Sequence, residues 1–204
     1  MGLTLSIQVG GMVKTMTAIY KIAALFGPSG SGKDTIINET VRASPENFRK
    51  VIRTTTRPRR EGESLDSYFF IENYEWVDSD YFIKSTFNDW NYGIRYKDLD
   101  EHKVNLGVFS PNELALLKND PHMQCVSILL YVSDKNRLIR CLNREKEPNC
   151  DEIIRRYLTD KEDFKDFSCD LSFNNNTLND RNFIVNYLRA IIPSRLEQGE
   201  RYNV

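Results

Sequence analysis

A short stretch rich in glycine and serine carries the clearest chemical signal in the sequence. GPSGSGK, residues 27–33, follows an apolar run and precedes a helical pattern. Glycines let successive backbone N–H groups point inward around a phosphate, and the start of a helix adds a partial positive charge. This context favours a phosphate-binding loop for ATP over a glycine-rich turn with a surface lysine. The expected contacts are Ser29, Gly30, Ser31, Gly32, Lys33, Asp34 and Thr35.

Asp34 follows the lysine at a position where such loops usually have a serine or threonine that holds Mg²⁺. A carboxylate beside a triphosphate is repulsive unless a hard cation between them takes oxygen ligands from both. Two interpretations follow. Either Asp34 binds Mg²⁺ directly or through water, with Thr35 nearby, or it only complements the dipole of the helix that begins there.

A second cluster of cationic side chains follows a predicted strand, in the segment TTTRPRREGESLDSYFF. Arginine forks match the geometry of phosphate, and tyrosine hydroxyls can supplement them. A solvated basic turn would have the same composition. Because a phosphate loop is also present, we expect this cluster to be a second anion site. Its arginines are Arg53, Arg57, Arg59 and Arg60.

Three motifs together resemble the guanylate kinase family in order and spacing: GPSGSGK, TTRPRREGE and NYG. The resemblance continues through RCLNREKEPNCDEIIRRYL and covers most of residues 20–192. It implies an ATP-binding loop, a small β-rich subdomain that binds GMP, and an arginine-bearing lid that closes over both. Carried over by position, it implies that Arg57, Arg60, Tyr68 and Tyr92 hold the acceptor phosphate, with Tyr68 matching after a one-residue deletion. Asn174 resembles the family's asparagine near adenine.

Arginines also recur where the family has its lid. Arg137, Arg140 and Arg144 are spaced by three and four residues and so share a helical face. The resemblance assigns catalytic roles to Arg144 and Arg156, together with Lys33, because arginines that arrive with a lid neutralise charge on the transferring phosphoryl group. The alternative is a solvated helix face paired with acidic neighbours.

The positions at which the family reads guanine differ in this sequence. They hold Lys84 or Ile83, Ile94, the acid-free stretch LGVFSP, and Arg53. A site discriminates between bases through polar groups that a wrong base leaves unpaired, so guanine specificity has no visible basis here. Asp89 or Asp98 could substitute from a rearranged loop. Gly-Lys-Asp with an altered base reader also resembles ribose 1,5-bisphosphate phosphokinase, which phosphorylates a sugar phosphate.

These patterns predict an ATP- and Mg²⁺-dependent phosphotransferase with a phosphate group as acceptor, and GMP or dGMP as that acceptor. An acceptor phosphate is already anionic at pH 7, so the reaction needs no general base such as histidine. One alternative is a kinase for ribose 1,5-bisphosphate or another nucleotide. Another is a non-catalytic guanylate kinase-like binding module, against which the intact glycines and Lys33 argue.

Apolar runs that alternate with amphipathic ones predict an α/β fold with helices on both faces of a parallel sheet. With the resemblance, this becomes a P-loop three-layer fold with five parallel strands, an inserted β-rich acceptor-binding subdomain and a helical lid. The expected strands are YKIAALF, KVIRTTT, KVNLGVFS, CVSILLYVS and DLSFN. Ser110 and Glu113 predict a capping box, Asn149 a helix cap, and Pro193 the end of the last helix.

The expected organisation is an N-terminal extension, residues 1–19, followed by a guanylate kinase-like domain, residues 20–204. Its core comprises 20–56 and 103–204, with the lid at about 137–160. Residues 57–102 are rich in aromatic and acidic side chains and form the acceptor-binding subdomain.

The balance of charged residues limits the kinds of partner that the protein is expected to bind. Lys and Arg total 28 against 29 Asp and Glu, so no strong field attracts nucleic acid or an anionic membrane, and small-molecule substrates are expected. No secretory signal and no apolar stretch of about 18 residues is present. The four cysteines match neither a metal motif nor a disulfide framework, which indicates a cytoplasmic protein. Nothing in the sequence fixes an oligomeric state.

Overall fold

The structure, a computed structural model, describes residues 4–9, 12–60, 63–64, 67–144 and 146–197. Their strands are β1 (Thr4–Val9), β2 (Met12–Thr17), β3 (Tyr20–Phe26), β4 (Phe48–Lys50), β5 (Thr54–Thr55), β6 (Phe69–Phe70), β7 (Tyr81–Phe87), β8 (Trp90–Arg95), β9 (Val104–Val108), β10 (Met123–Tyr131) and β11 (Leu171–Asn174). Their α-helices are α1 (Lys33–Ala43), α2 (Leu114–Asn119), α3 (Asp134–Leu142), α4 (Cys150–Asp163) and α5 (Leu178–Glu197).

Five strands form a parallel sheet in the order β11-β10-β3-β9-β4, as predicted. One face packs against α1 and α5 through residues such as Ile36 and Ile184, which are fully buried. The other face packs against α2 and the segment after α4 through Leu117 and Phe167. A strand buried on both faces is apolar nearly throughout, which explains why Lys21 is the one charged residue of β3.

The parallel sheet places its functional loops at the carboxyl ends of the strands. The chain leaves β3 at Phe26 and enters α1 at Lys33, so residues 27–32 form a turn at that edge. Gly27, Gly30 and Gly32 have φ values of 146°, 78° and 90°. Side chains other than glycine rarely adopt these conformations, and the loop therefore requires its glycines.

A second sheet of four strands, in the order β6-β5-β8-β7, occupies the predicted β-rich insertion. The predicted strand KVIRTTT instead spans the end of one strand, at Lys50, and a second strand in a different sheet, at Thr54–Thr55. β4 pairs with β9 in the parallel sheet, whereas Thr54 and Thr55 pair with β6 and β8. The chain crosses between the sheets at residues 51–53, so the second sheet begins three residues before the expected boundary at residue 57.

The last helix continues through Pro193 to Glu197, although we expected it to end at the proline. A proline inside a helix removes one backbone hydrogen bond and costs about 3 kcal/mol. Ile192 is fully buried and Leu196 is almost so in the core beneath α5. Burial of such side chains gains about 1.5–3 kcal/mol each, which offsets that cost.

Part of the expected N-terminal extension is described. β1 and β2 pair with each other as an antiparallel hairpin and form a sheet of their own. Within the described ranges, no helix is long and apolar enough to cross a bilayer.

Candidate active site

Lys33 is the first residue of α1, and its ammonium group is turned back against the loop that precedes the helix. Nζ donates to the carbonyl oxygens of Gly27 at 2.6 Å and Pro28 at 3.1 Å. Burial lowers the pKa of Lys33 to about 8, although Asp34 and Asp160 oppose the shift. The lysine therefore keeps most of its positive charge at pH 7 and loses it as the pH rises through about 8.

Three side chains from outside the loop donate to its carbonyl groups. Arg137 Nε donates to Ser29 O at 3.1 Å, and Arg140 Nη1 donates to Gly30 O at 3.3 Å. Asn175 Nδ2 donates to Ser31 O at 2.8 Å. Arg137 and Arg140 were expected with Arg144 on one face of the lid. The structure instead uses the first two to fix the shape of the phosphate loop.

Asp160 of α4 ties the predicted lid to the same loop. Its Oδ2 accepts from the backbone N–H of Ser29 and from Arg137 Nη2, both at 2.7 Å. No sequence signal pointed to this contact, because Asp160 belongs to no motif and lies 131 residues from Ser29. A carboxylate thus occupies one amide of a loop whose amides are expected to bind phosphate.

A cleft of about 250 Å³, called the donor-side cleft below, lies between the loop, α1 and the predicted lid. Arg144 and Arg156 lie on its lid side, and Asp34 and Thr35 on its helix side. Ser31, although part of the loop, is fully buried and does not line the cleft. The predicted residues that the cleft brings together are Ser29, Gly30, Gly32, Lys33, Asp34, Thr35, Arg144 and Arg156.

Asn174 is the exposed last residue of β11 and lines none of the clefts described here. Its neighbour Asn175 is buried and lies so close to the loop that a Cβ on Gly32 would meet its amide at 2.6 Å. Asn175 also lines a shallow depression of about 350 Å³ with Arg140 and Arg181. The adenine-side role predicted for Asn174 stays a prediction, and Asn175 is the asparagine in contact with the loop.

Asp34 is exposed in the first turn of α1, and its carboxylate accepts no hydrogen bond from any described residue. The described residues contain no group of three or more His, Cys, Asp or Glu that could hold a metal. Mg²⁺ commonly keeps several waters and takes only one or two carboxylates besides the phosphates of its substrate. A single free carboxylate beside the loop therefore fits Mg²⁺ bound together with a nucleotide.

Arg156 is held by an acidic neighbour on the same helix. Glu152 accepts from Arg156 Nε at 2.6 Å and from Arg155 Nε at 2.7 Å. Hydrogen bonds from these two arginines, first Arg155 and then Arg156, lower the pKa of Glu152 to about 2. Both arginines are half-exposed, and Arg156 lines the donor-side cleft whereas Arg155 does not.

A larger cleft of about 890 Å³ joins the loop to the four-stranded sheet. Lys33, Asp34 and Arg144 line one side, and Tyr68 and Tyr92 line the other. The two tyrosine rings contact each other edge to face at 6.0 Å between centroids. The structure therefore places the phosphate loop and two of the predicted acceptor residues on one continuous cavity.

The other two predicted acceptor residues are less directly placed. Arg57 is buried under the ring of Tyr68 and donates to both carboxylate oxygens of Glu63, at 2.7 and 3.0 Å. Arg60 has an exposed side chain that does not line the cleft, and its backbone N–H donates to Glu63. Glu63, which carried no signal in the sequence, lines the cleft, whereas its partner Arg57 does not.

An ion pair lies in the wall between the two sheets. Arg53 donates from Nη1 and Nη2 to the two oxygens of Glu113, at 2.8 and 2.7 Å. The predicted capping box is confirmed, because the backbone N–H of Ser110 donates to Glu113 at 2.8 Å. The cleft lining near this pair includes the apolar residues Val51, Val108 and Phe109.

The sequence profile of the guanylate kinase family matches residues 20–192. The chain belongs to the guanylate kinase family. This confirms the resemblance drawn from the GPSGSGK, TTRPRREGE and NYG motifs. No curated protein sequence is similar enough to count as a match.

Several solved structures align with this chain at low sequence identity. A guanylate kinase from Anaplasma phagocytophilum aligns at 18% identity with a TM-score of 0.56, over 85% of this chain and 87% of that one. An uncharacterized protein from Eubacterium ventriosum aligns at 14% identity and a TM-score of 0.46, over 86% and 99%. A gluconokinase from Sinorhizobium meliloti aligns at 16% and 0.48, over 89% and 95%. The first of these supports the expected fold, a parallel five-stranded P-loop kinase architecture.

The positions that depart from the family's guanine-reading pattern have structural roles. Ile83 and Ile94 are fully buried, and Lys84 pairs with Asp78 at the surface. Asp98, one candidate substitute, is bound in a bidentate pair by Arg95. Asp89, the other, lies in the exposed turn between β7 and β8 with a φ of 62°. Neither aspartate lines the large cleft.

Proposed function

We propose that the protein is an ATP-dependent kinase that phosphorylates a nucleoside monophosphate, with GMP or dGMP as the acceptor. One observation carries the proposal: the phosphate loop with Lys33 and the tyrosine pair Tyr68 and Tyr92 line the same cavity from opposite sides. Phosphoryl transfer in line requires a donor and an acceptor phosphate to face each other in this way.

The chain's own groups have distinct parts in this reaction. The loop amides and Lys33 bind the donor phosphates, and the arginines of the lid, Arg144 and Arg156, offset the negative charge that moves towards the acceptor. Tyr68, Tyr92 and Arg57 orient the acceptor phosphate, which attacks as an anion without a general base. For Arg156 this requires release from Glu152, and for Arg57 a change of partner at Glu63.

Asp34 is proposed to hold Mg²⁺, with Thr35 beside it. The ion, when bound, would supply positive charge that offsets the negative charge of the phosphates. Replacing Asp34 with Ser should weaken the Mg²⁺ dependence of ATP binding measured by calorimetry and shift the Mg²⁺ concentration needed for turnover. Replacing the nearby Glu39 with Gln serves as the control, since Glu39 lies on α1 and contacts Arg181 rather than the clefts. An unchanged Mg²⁺ dependence in Asp34→Ser leaves only the helix-dipole role.

A kinase for another phosphate acceptor is the second candidate, favoured by the loss of the family's guanine-reading side chains at residues 83, 84 and 94. The intact loop disfavours a third candidate, a non-catalytic binding module. ATP with Mg²⁺ should raise the melting temperature if the loop binds nucleotide, since a ligand bound only by the native state stabilises it.

The deciding experiment measures ADP release from ATP and Mg²⁺ with GMP, dGMP, AMP, CMP, UMP, dTMP and ribose 1,5-bisphosphate, using Lys33→Ala as the blank. Preference for GMP or dGMP supports the proposal. Preference for another acceptor replaces it with the second candidate, and no release with any acceptor contradicts both. As part of the same proposal, we assign the protein to nucleotide metabolism in the cytoplasm, in keeping with its four free cysteines.

A further inference from the structure

Arg53 and Glu113 form an ion pair in the lining of the large cleft that the proposed phosphate chemistry does not use. It lies where the chain crosses between the two sheets, and its neighbours in the cleft lining include the apolar residues Val51, Val108 and Phe109. The Arg53 and Glu113 side chains are 21% and 12% exposed, so both charges are largely shielded from water. A charge pair in such a position is costly unless it has a role or is very well satisfied.

Each member of the pair has a second anchor. Arg53 Nη2 also donates to Val108 O at 3.2 Å, and its guanidinium lies 5.6 Å from the centre of the Phe109 ring. Glu113 also accepts the backbone N–H of Ser110. The two side chains can therefore separate without leaving either charge unsupported, provided that a ligand replaces the two hydrogen bonds between them.

Guanine offers the groups that such a ligand needs. Its O6 and N7 accept a bidentate arginine, and its N1–H and N2–H groups donate to a carboxylate. Two hydrogen bonds are lost when the pair opens and up to four form. Adenine would bring an N6 amino group towards the Arg53 donors, and a sugar phosphate offers no base at all.

We propose that Arg53 and Glu113 read the base of the acceptor and select guanine. This rests on the proposed function, because it presumes that a nucleotide occupies the acceptor cleft. Arg53 itself stands at one of the family's guanine-reading positions, and with Glu113 it would take over recognition from positions that here hold buried isoleucines and a surface lysine. Guanine recognition then comes from a long-range contact between residues 53 and 113 and not from the four-stranded sheet.

Closely related acceptors test the two contacts separately. IMP lacks only the 2-amino group of GMP, and 7-deaza-GMP lacks only N7. The wild-type protein should bind GMP at least about tenfold more tightly than IMP, as expected for a hydrogen bond to a charged group. Glu113→Gln should reduce that ratio to near one while the ratio of GMP to 7-deaza-GMP is kept. Arg53→Met should reduce the ratio of GMP to 7-deaza-GMP affinity to near one and keep the ratio of GMP to IMP affinity.

Asp98→Asn is the matched control, because Asp98 forms a comparable bidentate pair with Arg95 outside the cleft. It should leave both ratios unchanged. Melting temperatures of all variants separate loss of fold from loss of selectivity, and each ratio is measured within one variant. Equal wild-type affinity for GMP and IMP overturns the base-reading role, whatever acceptor is phosphorylated. The proposed function fails differently, when GMP is preferred in binding but no acceptor releases ADP.

Discussion

The phosphate loop and the acceptor cleft share a wall but are built from different kinds of contact. Around the loop, side chains bind backbone: Lys33, Arg137 and Asn175 all donate to main-chain carbonyl oxygens. In the acceptor cleft, side chains bind side chains, as in the pairs Arg53–Glu113 and Arg57–Glu63.

The difference implies that the backbone loop is fixed by the fold, whereas the side-chain pairs of the acceptor cleft can be changed by a few substitutions. A backbone cradle depends on glycine conformations and cannot be altered without changing the loop. A side-chain pair can exchange partners while the strands remain in place. The donor half of the site therefore follows the family motif, whereas the acceptor half departs from it at the base-reading positions.

Loss of the loop's lysine is expected to have the largest effect. Lys33→Ala should reduce phosphoryl transfer about 10²- to 10³-fold, because a positioned charge in a water-poor site stabilises the transferring phosphates. Lys135→Ala, on the exposed face of α3, is the control. Single-turnover rates measure the effect. A loss below threefold would show that the loop is not where the donor binds, and the division into a donor half and an acceptor half would be wrong.

The lid arginines offer a matched pair on one helix. Arg155 and Arg156 both bind Glu152, but only Arg156 lines the donor-side cleft. Arg156→Ala should lower kcat about 10²-fold, since it removes a charge that acts on the transferring group. Arg155→Ala should leave kcat within about twofold. Similar losses in the two variants would mean that the arginines act through Glu152 and the stability of α4.

The depressed pKa of Lys33 predicts a pH effect confined to the donor half. The free protein loses the lysine's charge as pH rises through about 8, whereas bound phosphates hold the proton. ATP binding should therefore take up a proton near pH 8, and affinity should fall by at most about tenfold per pH unit above it. Calorimetry in buffers of different ionisation enthalpy counts the protons. A dissociation constant that stays flat from pH 7 to 9.5 would contradict the shift.

The smallest effect is expected at the tyrosines. Tyr92→Phe should raise the acceptor KM about tenfold and leave the ATP KM unchanged, because a hydrogen bond to a charged phosphate contributes about 1.5 kcal/mol or more. Tyr68→Phe should behave alike. The exposed Tyr74 provides the control, as Tyr74→Phe. Initial-rate kinetics with both substrates varied give the four constants. An equal rise in the KM for ATP would show that the tyrosines do not act on the acceptor alone, which would contradict separate donor and acceptor halves.

The phosphate loop and the parallel sheet were predictable from the sequence because both depend on local patterns. Glycines at residues 27, 30 and 32, a buried strand before them and a helix after them all lie within one short segment. The capping box of Ser110 and Glu113 was found for the same reason. Such signals follow from backbone conformation and periodicity, which a single sequence displays directly.

Contacts between distant segments could not be predicted in this way. Arg53 and Glu113 are 60 residues apart, and each has an ordinary local explanation, as a basic turn residue and as a helix cap. The division of KVIRTTT between two sheets was missed because its residue types suit a strand in either sheet. Pro193 was overestimated as a helix terminator because the burial of Leu196 beyond it depends on tertiary packing.

The hydrogen bond from the Ser29 amide to Asp160 has a consequence for the timing of catalysis. A triphosphate that reaches this amide competes with a carboxylate tethered to the same chain, which is present at a high effective concentration at all times. In the proposed reaction, part of the nucleotide's binding energy would go into displacing Asp160. When the product nucleotide dissociates, the same carboxylate would compete for the Ser29 amide again, and product release would be faster for it.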